Sequence, residues 1–492
     1  MLQARFGFIS EVMHFVEDLC VMHDAQVIGE KPLNIQAKTN LNYILTFMIS
    51  FAFFSLSAIE RLSLGQVNAA SLSIFCIRNY ALISKLRRLA LIKVLLLYPQ
   101  SSCSLLIDDT DRSRSKIVTA IGYVYKTICK ITSGYHNAQN IVFICLVTKF
   151  ITIPIAFAFY KPDPLISTWK KKVKKIKKCK HCRELKKERC GDCREKLKKI
   201  GQKPVRDAEK YPTRAEIAAK LLMDVKSIFS ELTANGHKYT IQSISADAAY
   251  ISPFLVGKIH NIFPKTQFLS QLKVNQLVAN KSGKFKPLKE YFSNQETVKA
   301  SINIRNKVKK VEYISARLQV KSHGCRLHVV ALKYAEEKEF RYICATELTW
   351  RTEDIIRHYG LRWLVEVAIE DWKQYSGWGR KACLQGEEGA RCGVNLSLIV
   401  DAFFLQHPAQ IALQRSGQML ASTGSLSRRI MMQFFYEGLG HTVYSLDPKT
   451  QLEALKQSLD DCFVLRPSCK HAAGEWYPEA EPSKSLLRYA SG

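Results

Sequence analysis

From residue 1 to about residue 97, leucine, isoleucine and phenylalanine recur at three- and four-residue spacing with few turn residues between them. That is the period of helices that bury one face, and it predicts a helical N-terminal region. The pattern then changes. Cys103–Ile107 is a short apolar run that ends on Asp108 and Asp109, while Asn140–Val147 and Ile151–Tyr160 are longer, β-branched runs closed by the turn-forming Lys161–Pro164. Three strands are predicted there. A helix is expected from Arg214 to about Leu232 with Thr213 as its N-cap, then a strand at Tyr239–Ala246 that runs into Asp247. Short runs at 268–274, 317–322, 326–334 and 340–346 predict further strands, and from Thr352 the period is helical again to about Arg415. The last thirty or so residues, rich in Pro, Ser and Lys, are expected to be loosely held. Strands followed by helix, with an extra β-rich section, predict a mixed α/β core broken by insertions.

Two apolar runs raise the question of a membrane. Tyr43–Ile59 is uncharged but only about 17 residues long, the lower limit for a span, and Ile141–Phe159 carries Lys149 in its middle. Both read as buried segments of a globular chain, so no membrane partner is expected. At 492 residues the chain exceeds an ordinary domain, and about two to four units are expected. Fifteen cysteines, an odd number, and no secretory signal point to a reducing, cytoplasmic compartment.

The net charge of +30 changes the picture most. Self-repulsion on that scale is tolerated when the partner is a polyanion, DNA or RNA, with an anionic membrane surface as the competing reading. The excess is concentrated, since residues 161–200 hold 17 Lys or Arg against 5 Asp or Glu. Inside that block Cys179, Cys182, Cys190 and Cys193 form two CxxC pairs seven residues apart. Four thiolates at that spacing suit a structural Zn²⁺, with His181 as a substitute ligand. The alternative is a set of free thiols in a flexible basic linker. With zinc, the surrounding lysines form a small finger that contacts phosphates more than it reads bases.

Asp108 and Asp247 each follow a predicted strand, the position from which carboxylates reach a site at a sheet edge. A third carboxylate, Glu366, lies in a segment that reads as one helix. At about 100° per residue, Tyr359, Arg362, Glu366 and Lys373 share one stripe, opposite an apolar face of Leu361, Val365, Ala368 and Trp372. An ordinary solvated face with an Arg362–Glu366 ion pair is the plain alternative. The stripe offers instead a carboxylate for metal, two cations for phosphates and a ring for stacking.

These residues resemble bacterial insertion-sequence transposases of the cut-and-paste DDE type, whose Tyr-x2-Arg-x3-Glu-x6-Lys signature is matched by Tyr359, Arg362, Glu366 and Lys373. The family's Asp-x-Thr matches Asp108-Asp109-Thr110, and its Ala-Asp-x-x-Tyr setting matches Ala246 to Tyr250. The resemblance spans about residues 103 to 405. It implies a ribonuclease H-like core, a mixed sheet with flanking helices, interrupted by the basic zinc-binding insert and by a β-rich insertion between Asp247 and Glu366.

The implied division is 1–97 helical and used for DNA-end binding, 98–160 the first part of the core, and 161–213 the basic insert. Then follow 214–250 with the second Asp, 251–340 the β-rich insertion, 341–415 with the catalytic Glu, and 416–492 a partly loose C-terminal region. By this resemblance Asp108, Asp247 and Glu366 hold two Mg²⁺ (or Mn²⁺) ions, with Asp109 a rival for the first position. Arg362 and Lys373 neutralise phosphates, and Tyr359 positions the strand end. The implied activity is phosphodiester hydrolysis at transposon ends and transfer of the 3′-hydroxyl into target DNA. The protein would act as a homodimer on double-stranded DNA, associated with the nucleoid. A catalytically inactive DNA-binding protein derived from a transposase is the alternative.

Overall fold

The computed structural model describes residues 9–26, 32–51, 55–99, 102–114, 120–128, 134–175, 190–280, 283–305, 307–378 and 384–462. The N-terminal region forms α1 (Ser10–Gln26), α2 (Ile35–Phe51), α3 (Leu56–Leu62), α4 (Ala69–Arg78) and α5 (Tyr80–Leu97). Helix α2 is buried at every residue from Thr39 to Ser50, which accounts for most of the uncharged run at Tyr43–Ile59. Among the described residues no single helix is long and apolar enough to cross a membrane. The expectation for the C-terminal thirty residues lies outside the described residues.

The rest is mixed α/β, built on one sheet of twelve strands. Strand β1 (Ser102–Arg114) pairs antiparallel with β3 (Tyr135–Val147) and parallel with β5 (Thr240–Ala246). Strands β2 (Tyr125–Ile128) and β4 (Thr152–Tyr160) both lie antiparallel to β3, and β6 (Gln267–Leu272) runs parallel to β5. Beyond β6 the sheet continues antiparallel through β12 (Arg341–Ala345), β11 (Cys325–Tyr334) and β10 (Lys307–Val320). Strands β7 (Leu277–Ala279), β8 (Lys286–Pro287) and β9 (Val298–Ile304) complete the far edge.

Between strands lie α6 (Pro164–Lys175), α7 (Gly191–Lys198), α8 (Arg214–Ala234), α9 (Pro253–Ile262) and α10 (Leu288–Phe292). After the sheet come α11 (Thr352–Gly360), α12 (Trp363–Tyr375), α13 (Gly386–Gln406), α14 (Pro408–Arg415), α15 (Thr423–Val443) and α16 (Pro448–Cys462). Helix α8 starts where its sequence says, because Thr213 and Glu216 form a reciprocal capping box. The main core joins the N-terminal helices, β1, β3, β4, β5, α8, α12 and α13. On the outer half of the sheet Val329 and Val330 fall in different clusters, so that half is covered on both faces.

Three features differ from the sequence reading. Strand β1 does not stop at Ile107 but runs on to Arg114, because β3 keeps pairing with it as far as Asn137 after β5 has ended. The segment from 251 opens with α9 and β6, which extend the main sheet before the antiparallel strands begin. The helix expected to run through Tyr359–Lys373 is two helices, with bonds of the tighter i→i−3 kind at Leu361, Arg362, Leu364 and Val365 where they join.

Candidate active site

Asp108 stands in β1 one residue beyond Ile107, whose partner Ala246 is the last residue of β5. Asp247 follows at once, so two carboxylates from distant parts of the chain leave adjacent parallel strands at one level. Its Oδ1 accepts the Ala248 N–H at 2.6 Å. Side chains alternate along a strand. Asp108 and Thr110 accordingly face α12, and Asp109 and Asp111 point the other way.

The far side is a closed network. The Asn140 amide donates to Asp109 Oδ2 (2.6 Å) and to Asp111 Oδ1 (2.9 Å), Tyr250 Oη donates to Asp109 Oδ1 (3.2 Å), and Arg214 Nε lies 3.4 Å from Asp109 Oδ2. Burial, followed by the Asp109 charge, pushes the Tyr250 phenol far up. The sequence leaves Asp108 and Asp109 as rivals for one role; in the structure Asp109 braces the strand, and Asp108 looks across to α12.

On α12, Arg362 connects the acids. One guanidinium places Nη1 3.6 Å from Asp108 Oδ2 and Nη2 2.7 Å from Glu366 Oε1. Burial pushes Asp108 up to about 6; the Asp109 N–H and Arg362 oppose this, while the charges of Asp109 and Asp247 add to it. Burial works against the Arg362 charge as well, yet Tyr359, Glu366 and Asp108 around it raise its pKa further. Lys373 lies two turns along α12 from Glu366 and donates to Thr110 Oγ1 (2.5 Å) and to the Asp111 carbonyl (3.0 Å). Burial lowers its pKa. Asp108, Asp109, Thr110, Glu366, Glu370, Lys373 and Gln374 line a cleft of about 530 Å³.

A solved transposase resembles the chain loosely. It is the piggyBac transposase in its synaptic complex with hairpin DNA, seen by cryo-EM, at 11% sequence identity and a TM-score of 0.41 over 96% of this chain and 86% of that one. No family model and no curated protein matches. So loose a likeness adds nothing to what the geometry of the site says.

That geometry gathers Asp108, Glu366 and Lys373 around one cleft, with Arg362 in contact with the first two and Asp247 at the adjoining strand end. Tyr359 joins it through its hydroxyl, which bonds to the Arg362 side chain beside Asp247, while its ring is buried. Tyr359 is 6% exposed and packs with Ile304, Ile355 and Ile356, its hydroxyl 3.4 Å from Gln271 Oε1. The reason for the burial is local: Ile355, Ile356 and Tyr359 share the apolar face of α11, and the break after Gly360 separates that face from the stripe on α12. Glu370 and Gln374 are cleft residues that the four-residue signature passes over, though each lies one helical turn from a member of it or from the other.

The carboxylates are hard oxygen donors of the kind Mg²⁺ takes. Among the described residues, however, no three Asp, Glu, His or Cys side chains are grouped to hold a metal ion; the Arg362 guanidinium lies between two of the acids instead. Of the cysteine set, Cys190 precedes α7 as its N-cap and Cys193 is buried. Cys179 and Cys182 lie outside the described residues.

Proposed function

We propose that this chain is a DNA transposase of the DDE type, cleaving phosphodiesters at transposon ends and transferring the freed 3′-hydroxyl to target DNA. The observation that carries the reading is the single guanidinium of Arg362 in contact with both Asp108 and Glu366, beside the strand end that bears Asp247. The strand order β4-β3-β1-β5-β6, with β3 antiparallel and β5 and β6 parallel to β1, supports a ribonuclease H-like reading of the core. Asp108, Asp247 and Glu366 are the residues that would hold Mg²⁺, which supplies charge stabilisation for the entering and leaving oxygens. Arg362 and Lys373 hold the phosphates of the strand in the cleft, and Arg362 leaves the acids when a phosphate draws it away or a metal ion displaces it from the carboxylates. Double-stranded DNA is the partner, with two copies of the chain acting together. Zinc in the basic insert belongs to the same proposal, and metal analysis of the purified protein tests it.

Supercoiled plasmid with Mg²⁺ is the direct assay. Glu366→Gln is expected to bind DNA nearly as the parent does and to lose nicking; full nicking by that variant removes Glu366 from the active site. The absence of an assembled three-acid cluster among the described residues favours a second reading, a DNA-binding protein derived from a transposase, which predicts binding without nicking in the parent chain.

A further inference from the structure

Behind the candidate acids lies a row of polar side chains that the proposed chemistry does not use. Ser104 on β1 and Ser243 on β5 are register partners, 4% and 0% exposed, with their Oγ atoms 2.9 Å apart. Ser243 Oγ is in turn 3.0 Å from Nδ1 of His358 on α11. The imidazole is held from a second side by Trp350, whose ring meets it edge-on with the centres 4.9 Å apart. It also lines a cavity of about 370 Å³ with Arg305, at the tip of the β9–β10 hairpin, and Arg357. Burial holds the His358 pKa below its ordinary value, Asp354 opposing and Arg357 reinforcing the effect. At neutral pH the ring is therefore uncharged, with one donor and one acceptor nitrogen.

The three residues are placed regularly. Ser104 stands four residues before Asp108, Ser243 four before Asp247, and His358 four before Arg362. Four residues along a strand return a side chain to the same face, so the serines lie on the face from which the two aspartates emerge. On the helical side, the Leu361 N–H donates to the His358 carbonyl (3.2 Å) in the turn that joins α11 to α12. Hydroxyls and an imidazole buried in a sheet core are costly unless bonded, and apolar residues would fill the same space without that demand. Bonded, they fix the separation of their elements far more sharply than apolar contacts do.

We propose that Ser104, Ser243 and His358 form a positioning relay, which sets the spacing of β1, β5 and the α11–α12 join and with it the spacing of Asp108, Asp247 and Glu366. The relay rests on the reading of those acids as a metal-holding site, and it adds three residues one layer beneath them. Carboxylates that share metal ions tolerate little misplacement.

The test titrates the full chain, with a short blunt duplex, with Mn²⁺ and reads free Mn²⁺ by electron paramagnetic resonance. The binding lost in Glu366→Gln defines the acid site. His358→Phe keeps a ring and removes both nitrogens; it should weaken that binding about fivefold, as should Ser243→Ala. His358→Asn, whose amide reaches the Nδ1 position, should restore most of it. Ser245→Ala should change nothing, because Ser245 lies on the same face of β5 but its buried Oγ has no hydrogen-bond partner. Ser104→Ala and His358→Phe should not add, since either break opens the same row. Thermal unfolding of each variant is measured alongside. A lowered Tm with unchanged Mn²⁺ affinity, additive effects, or an equal loss in Ser245→Ala overturns the relay. If His358→Phe does not fold, Ser104→Ala and Ser243→Ala carry the same comparison. Mn²⁺ binding that depends on Glu366 but ignores every relay variant removes the relay alone; if the parent and Glu366→Gln bind Mn²⁺ alike, the metal-site reading falls and the relay with it.

Discussion

Asp401 on α13 and Asp371 on α12 share a small cleft of about 80 Å³ with Thr152 and Thr423, on the far side of α12 from the candidate active site. Burial, with the Asp371 charge adding to it, pushes Asp401 up to about 7. Asp371 is raised too, by burial and then by Glu370. A carboxyl whose pKa is higher folded than unfolded holds its proton more tightly in the folded chain, so stability falls as pH rises from about 4 to about 7 and stays lower above that. Asp401→Asn removes the ionisation. It should therefore stabilise the protein at pH 8 by on the order of 2 kcal/mol, allowing for the solvent that still reaches the side chain, and give no gain at pH 4. Thermal unfolding at the two pH values checks this, and an equal gain at both would show that charge is not the cause.

At the scale of elements, the contact between Gly360 and Ile304 ties the hairpin β9–β10 to the end of α11. Gly360→Ala drives a methyl group into Ile304, and overpacking of this kind costs about 1–3 kcal/mol. In an Ile304→Ala background the same change should cost much less, because the opposing side chain is gone; chemical denaturation of the four proteins of that cycle measures the difference. The join between α11 and α12 also shows where sequence reading stops. Strands such as Asn140–Val147 are legible because they are buried on both faces and read as continuous apolar runs. Asp108 and Asp247 are legible as carboxylates that end such runs. The continuation of β1 through Asp109–Arg114 is not, since those polar residues pair only because β3 reaches them. The break has one weak local signal, Gly360, a poor helix former, while Leu361 and Arg362 beside it are ordinary ones. The burial of Tyr359 does have a local signal, its spacing from Ile355 and Ile356, which competes with the stripe drawn through Arg362 and Glu366 and wins once the helix breaks.

For the molecule as a whole, the net charge of +30 has to be placed against the site. Exposed cations lie along the same hairpin that carries Arg305, at Lys307, Lys309 and Lys310, and residues 161–200 add 17 more Lys or Arg to the chain. A protein that neutralises DNA phosphates releases condensed counterions, so its affinity falls steeply and linearly on a log–log plot against salt. If hairpin and insert both lie along the duplex, six or more phosphates are in contact, and affinity for blunt duplex should fall at least about a thousandfold between 50 and 200 mM salt. Replacing Lys307, Lys309 and Lys310 together by Gln should flatten that slope by about three phosphates' worth. A loss of only about tenfold over the same range corresponds to about two phosphates. In that case the excess charge lies away from the DNA, and on the proposed reading the affinity of the cleft rests on Arg362 and Lys373.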